Sequence, residues 1–395
     1  MKIAPYYQKL LEDALQAAKS FEPITYAGMF DSGVDYLFNL FIPLVEAELE
    51  NDTVSLVVDL SGLTRKEEIE SEITFALSNL QKDIPSVCDF ASLTRHIQQI
   101  AVKKKVVLTV YLGQEGNTAM EFFLFLNRLR NMLAWRFTYV VFGTTRVLFD
   151  ERYFFPLLKK VFKRNIQTVL PLRDTDARIV LANYEERYAK KLPETQRQNV
   201  LQNAGGNPGL IKALYLQVSD REYKNKINVL DERLAFRLEG IACDIPEKDR
   251  EALASSRKIR NTETQLHLIQ YGYLVQDKSG NRPFTPLLAD YLIHKKAQKS
   301  DQTKTSKPED NKLLLLTKSQ RLVLNYMEGH IGALITKDDI AKVLWGESWA
   351  ERYSDWAIDQ LISTLRERMG RMKHRGRIIT KKGEGIIFLT TKKNI

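Results

Sequence analysis

Cysteine is nearly absent from this 395-residue chain: Cys88 and Cys243 are its whole complement. They stand far apart, in no CxxC or Cys/His cluster, which excludes a zinc module and a disulfide framework. So few thiols suit a reducing compartment, and a cytoplasmic location is expected. Histidine is also scarce: His96, His267, His294, His330 and His374 are scattered. Neither a G-x-S-x-G nor an H-E-x-x-H spacing occurs, so no catalytic residue and no metal ligand is named. Long apolar runs are missing too. Nothing approaches the roughly 20 uninterrupted apolar residues that span a bilayer, so no membrane partner is expected. The first residues, MKIAPYYQKLLEDALQAAKSF, carry acids and glutamines where a signal peptide needs an apolar stretch.

What is present is enough apolar residue to build cores: 44% of the chain is hydrophobic and 27% charged. At a typical ~150 residues per domain, the length implies two or three of them. The formal net charge is +10, too small by itself to name a partner. Its distribution says more. Residues 313–395 hold 15 Lys/Arg against 9 Asp/Glu. Within 366–382, Arg366, Arg368, Arg371, Lys373, Arg375, Arg377, Lys381 and Lys382 face only Glu367. The segment KKAQKSDQTKTSKPEDNK ahead of this region has no Ile, Leu, Val, Met or aromatic residue. It cannot offset its ordering entropy by burial, and a flexible linker is expected over 296–312.

Ahead of that linker, β-branched runs alternate with helical patterns. Strands are expected at 24–27, 54–60, 106–112, 137–142 and 167–172, and helices near 5–20, 34–49, 64–81 and 122–133. Continuous apolar strands between helices imply a parallel sheet covered on both faces, over 1–172. Residues 173–240 read as a helical unit, with GGNPG at 205–209 breaking two helices. Residues 241–295 end in LIQYGYLVQDKSGNRPFTPLLADYL. A helix, a two-stranded hairpin and a further helix in that order read as a winged helix.

Strand 24–27 runs into Gly28-Met29-Phe30-Asp31-Ser32-Gly33-Val34-Asp35 and then a helix. This is the strand–loop–helix context in which backbone N–H groups cradle phosphates. The glycine spacing is kept. Val34, however, stands where such a loop needs lysine, and Asp35 where it needs a magnesium-holding Ser/Thr. The magnesium-ligating acid that should end a central strand is also missing. Strand 106–112 ends in Tyr111-Leu112-Gly113, with Glu115 beyond, and Asp59 reads as a strand-end cap. Taken with FTYVVFGTTR (137–146) and LQNAGGNPGLIKAL (201–214), residues 1–295 resemble the AAA+/STAND group of P-loop ATPases. The resemblance implies an α/β core, a helical lid and a winged helix. It assigns Gly28, Ser32, Gly33, Val34, Asp35, Arg146 and Pro208 to a degenerate nucleotide pocket. ATP is then at most bound and not hydrolysed, and no cofactor is expected.

After the linker, Thr317 and Thr336 read as N-caps of two helices. A third helix near 354–369 places Ile358, Leu361, Ile362, Leu365 and Met369 on one stripe. Strands at 377–380 and 386–389 flank the turn 381–385. The pieces "ITKDDIAKVLWGE", "AIDQLISTLRERMG" and "RIITKKGEGIIFL" make residues 313–395 resemble the winged helix-turn-helix domain of OmpR-type response regulators. The resemblance implies that the third helix enters the major groove of double-stranded DNA and the wing touches backbone. Its recognition surface maps to Trp356, Ala357, Gln360, Leu361, Ser363, Thr364 and Arg366, and its wing to Thr380 and Lys382. Arg377 and Lys381 join them on charge.

The fold expected is therefore α/β, a P-loop-like core with lid and winged helix, linked to an α+β winged helix-turn-helix domain. The function expected is DNA-binding regulation; no phosphoacceptor receiver domain is evident, so control by aspartyl phosphorylation is not expected. Residues 1–295 would sense, self-associate or recruit a protein partner. Two alternatives stand beside it. One is a nucleotide-switched STAND or origin-recognition-like ATPase with DNA as effector. The other is a non-enzymatic assembly subunit of a defence or mobile-element system, docking through Trp345, Trp349 and Trp356.

Overall fold

A computed structural model of the chain describes residues 2–80, 88–113, 120–146, 165–220, 227–254, 262–277, 280–305, 318–346, 355–371, 376–381 and 385–390. The chain divides into two compact units, Met1–Lys295 and Lys296–Ile395.

The first unit is organised by a parallel sheet of β1 (Ile24–Gly28), β2 (Thr53–Asp59), β3 (Lys105–Tyr111), β4 (Phe137–Thr144) and β5 (Ile166–Val169). The strand order is β2-β3-β4-β1-β5, with every neighbouring pair parallel. Parallel strands need crossovers, and those joining β1 through β4 are helical. α1 (Pro5–Lys19) and α2 (Val34–Glu48) pack in one apolar cluster with Val107, Val140 and Phe142. α3 (Lys66–Ser78), α4 (Phe90–Lys103) and α5 (Met120–Leu133) pack in a second, with Val106, Leu108, Tyr139 and Val141. Successive side chains of β3 and β4 thus alternate between two cores, which is why these strands read as unbroken apolar runs. Helix α4 went unforeseen in the sequence, although Leu93, Thr94, Ile97 and Ala101 are buried along one of its faces.

The rest of this unit is mostly helical. α6 (Asp174–Arg187), α7 (Glu194–Ala204), α8 (Pro208–Val218), α9 (Glu232–Asp244) and α10 (Glu247–Ala254) precede α11 (Thr262–Gln270), β6 (Leu274–Asp277), β7 (Gly280–Pro283) and α12 (Pro286–Thr305). The turn between α7 and α8 needs both its glycines. Gly205 and Gly206 have φ of 57° and 82°. A Cβ on either would lie 2.1 Å from a carbonyl oxygen, of Phe284 and Leu172 respectively.

Two expected boundaries are corrected. The break between 240 and 241 falls inside α9, one uninterrupted helix. Gly240 is there because the Phe30 ring packs against it, and a Cβ would meet that ring at 2.5 Å. The first part of the linker expected over 296–312 is instead helical, since α12 continues to Thr305, and 306–312 lie outside the described residues. Lacking apolar residues removes burial, but Ala297, Gln298 and the lysines are competent helix formers, and no proline intervenes before Pro308.

The second unit holds α13 (Lys318–Gly329), β8 (Leu334–Ile335), α14 (Lys337–Trp345), α15 (Asp355–Arg371), β9 (Gly376–Lys381) and β10 (Gly385–Thr390). The strands order β8-β10-β9. Thr336 caps α14 in a reciprocal box with Asp339, which satisfies donors at the helix start. Thr317 lies outside the described residues. Ile358, Ile362, Leu365 and Met369 of α15 are buried against Val323, Leu324, Met327, Ile378 and Phe388, with Leu361 half-buried beside them.

Candidate nucleotide cradle and nucleic-acid interface

The loop after β1 sits at the carboxyl end of a central strand, where open α/β sheets bind ligands. Gly28 ends β1, and Gly33, at φ 89°, starts α2. The space these glycines leave is filled by the chain itself. A Cβ on Gly28 would meet Ser32 Oγ at 2.1 Å, and one on Gly33 would meet the Tyr7 hydroxyl at 2.4 Å. That hydroxyl donates to the Ser32 carbonyl at 2.7 Å. Val34 is buried in the apolar cluster, and its Cγ2 also backs the loop, 2.7 Å from where a Cβ on Gly28 would stand. Asp35 stands in the first turn of α2, where the free backbone N–H groups of a helix start would otherwise face an anion. Burial, with Asp31 nearby, raises its carboxyl above the usual range.

Helices from the lid close over the loop. Asn207 caps α8 by accepting from Leu210 N–H, and its Nδ2 donates to the Phe30 carbonyl at 3.0 Å. Pro208 occupies the first turn of α8, so its missing N–H costs nothing. Gly209 N–H donates to the Asp31 carbonyl at 3.2 Å. Arg237 of α9 forms an ion pair with Asp31 at 3.1 Å, both side chains about one-fifth exposed. Lys212 of α8 feels both carboxylates, although burial, Arg237 and Arg187 together lower its pKa.

A second connection runs deeper. Phe30 N–H donates to Asp244 Oδ2 at 2.6 Å. Asp244 also interacts with Tyr273, whose hydroxyl lies 2.6 Å from Thr145 Oγ1. Thr145 N–H returns to the Gly28 carbonyl at 2.8 Å. Arg146, half-buried in this turn, favours the charged form of Asp244, but burial dominates and pushes that carboxyl up to about 8. The loop, the end of β4, α9 and the hairpin of the first winged helix are thereby one polar network.

These residues do not fit a magnesium triphosphate. No lysine stands at 34, two carboxylates face the place of the phosphates, and the cradle holds Tyr7 and Ser32. At the end of β3, Tyr111 stacks on Phe38 at 5.2 Å, and Asp59 caps the turn after β2 by accepting from Ser61 N–H. Glu115 lies outside the described residues.

In the second unit, α15 and β9 carry the expected DNA surface. The side chains of Trp345, Trp356, Ala357 and Gln360, and all of Trp349 and Lys382, lie outside what the structure describes. Arg366, Arg377, Thr380 and Lys381 are exposed, and Ser363 is half-buried. Two of the expected contacts bond to each other: Arg366 donates to Thr380 Oγ1, and its Nε reaches the Ile378 carbonyl at 3.3 Å. Arg366 therefore ties the third helix to the wing. Thr364 is turned inward. It accepts from Gln320 Nε2 at 3.0 Å and donates to the Leu361 carbonyl. Gln320 Oε1 in turn accepts from Arg368 at 2.8 Å. Lys337 at the start of α14 bonds Asp359 of α15 at 2.8 Å, bracing the helix-turn-helix.

The sequence reading missed Tyr7, Asn207, Lys212, Arg237, Asp244 and Tyr273. Only Asn207 carried a local signal, as a cap residue between Gly206 and Pro208. The others act across separations that leave no pattern in the chain.

No curated protein matches the chain in sequence. Among solved structures, it is similar to a Walker-type ATPase of Pyrococcus abyssi, with 13% identity over 73% of this chain and 94% of that one, TM-score 0.48. The Aeropyrum pernix ORC2 protein shares 11% identity over 75% of this chain and 97% of that one, TM-score 0.41. Cdc6p from Pyrobaculum aerophilum shares 12% over 99% and 91%, TM-score 0.39. Residues 311–388 match the family described as "Transcriptional regulatory protein, C terminal", and this end of the chain is a winged helix of that type.

Proposed function

We propose that this chain is a DNA-binding regulator. The winged helix at its C-terminal end contacts duplex DNA, and residues 1–295 serve as a sensing, self-associating or recruiting platform that does not hydrolyse ATP. The observation that carries the reading is the brace between α15 and β9. Arg366 holds helix and wing together through Thr380 and Ile378, so two DNA-contacting elements are fixed in one geometry. Exposed Arg377 and Lys381 on the same strand supply phosphate-class charge, and the match of 311–388 agrees. Phosphate contacts release counterions, so affinity must fall steeply with salt.

The test is a mobility-shift titration of the full chain on duplex DNA over a salt series. Arg377→Glu/Lys381→Glu is expected to abolish most binding. Affinity unchanged by that pair would overturn the proposal. Affinity that requires magnesium-ATP would favour the nucleotide-switched reading instead.

A further inference from the structure

Two carboxylates stand at the candidate cradle, where an anion-binding loop would present cations and free N–H groups. Each already has a partner of the kind a phosphate would take. Asp35 sits in the first turn of α2, beside the helix-start N–H groups, and Asp31 receives Arg237 from α9. Lys212 from α8 and Arg187 from α6 lie in the same electrostatic neighbourhood. The fit around Asp31 is tight: a Cβ on Gly209 would come within 2.3 Å of its side chain. Asp31 itself has φ 56°, a left-handed conformation that a non-glycine residue adopts at some cost.

We infer that Asp31 and Asp35 are built-in counter-ions that occupy an anion site formed by the start of α2, Lys212 and Arg237, holding the lid against the core in place of a nucleotide's phosphates. The ligand class excluded is the polyphosphate. Removing the carboxylate charge uncovers the site and lets an inorganic polyphosphate enter. Charge balance supports this. Two half-buried anions near Arg237 and Lys212 need no further counter-ion, whereas an added triphosphate would stack like charges in a partly desolvated space. This inference rests on reading residues 1–295 as non-hydrolysing, and it is independent of DNA binding.

The experiment uses the full chain, with thermal melting as the readout and inorganic tripolyphosphate and magnesium-ATP as probes. Neither probe is expected to shift the melting temperature of the unaltered chain at millimolar concentration. Asp31→Asn and Arg237→Gln should each lower it by about 4 °C or more. The double variant should lose much less than the two losses combined, since breaking the pair is counted once. Asp31→Asn should gain a saturable upward shift with tripolyphosphate. A saturable shift of the unaltered chain with tripolyphosphate overturns the inference even if every variant fails to fold. Fully additive losses overturn it as well. Turnover of magnesium-ATP would instead defeat the underlying reading of 1–295, an outcome told apart by phosphate release.

Discussion

Asp244 is fully enclosed, and burial pushes its carboxyl up to about 8, against about 3.9 for an unfolded Asp. Between those values the folded chain keeps a proton that the unfolded chain has released. Its contribution to stability therefore falls as pH rises from about 4 to about 8, by up to ~1.4 kcal/mol per pH unit. Asn resembles the protonated acid and cannot titrate. The difference in unfolding free energy between the unaltered chain and Asp244→Asn should thus drift with pH in that window, the variant gaining relative stability as pH rises. Denaturant titrations at pH 5, 6, 7 and 8 measure this, and a flat difference would contradict it. At the other end of the chain, Thr380→Val keeps a β-compatible side chain and removes the hydroxyl that receives Arg366. About threefold weaker duplex binding is expected, a loss of ~0.7 kcal/mol, at the low end for a net hydrogen bond because both side chains are exposed. Thr364→Val should instead lower stability, because its hydroxyl joins Gln320 inside the domain.

At the level of elements, the α7–α8 turn threads between β5 and the first winged helix. Leu172 N–H donates to the Gly206 carbonyl at 2.9 Å, and the Thr285 hydroxyl donates to the Asn203 carbonyl at 2.5 Å. Gly206→Ala adds a Cβ 2.1 Å from the Leu172 carbonyl at a positive φ. It should cost more than about 1 kcal/mol, read as a lower midpoint in urea unfolding. The five strands and most helices were legible in sequence because apolar runs and 3.6-residue stripes are local signals. The capping box of Thr336 and the hairpin register, with Gly385 opposite Lys381, follow from equally local chemistry. What was not legible was the partner of each element. α9 pairs with the loop after β1 through Arg237 and Asp244, and nothing near residue 240 signals residue 30. The same helix also reaches α12, where Glu239 accepts from Tyr291 and Lys295.

On the scale of the whole chain, the basic excess belongs to the winged helix that matches 311–388, while residues 1–312 are nearly neutral. Among the described residues, no helix is long and apolar enough to cross a membrane. The loop with the spacing of a phosphate cradle is occupied by Tyr7 and Ser32, with Asp31 and Asp35 beside it, and that filling is why a platform role is proposed for 1–295. In the sequence, Val34 and Asp35 stand where such a loop would carry lysine and Ser/Thr. How the space is filled instead needed the fold, since Tyr7 and Arg237 are remote from the motif. The most direct test of the account is selection of duplexes from a random-sequence library by the full-length protein without nucleotide. The account predicts recovery of an enriched sequence, lost in Arg377→Glu/Lys381→Glu. Failure to retain any duplex at low salt would contradict it.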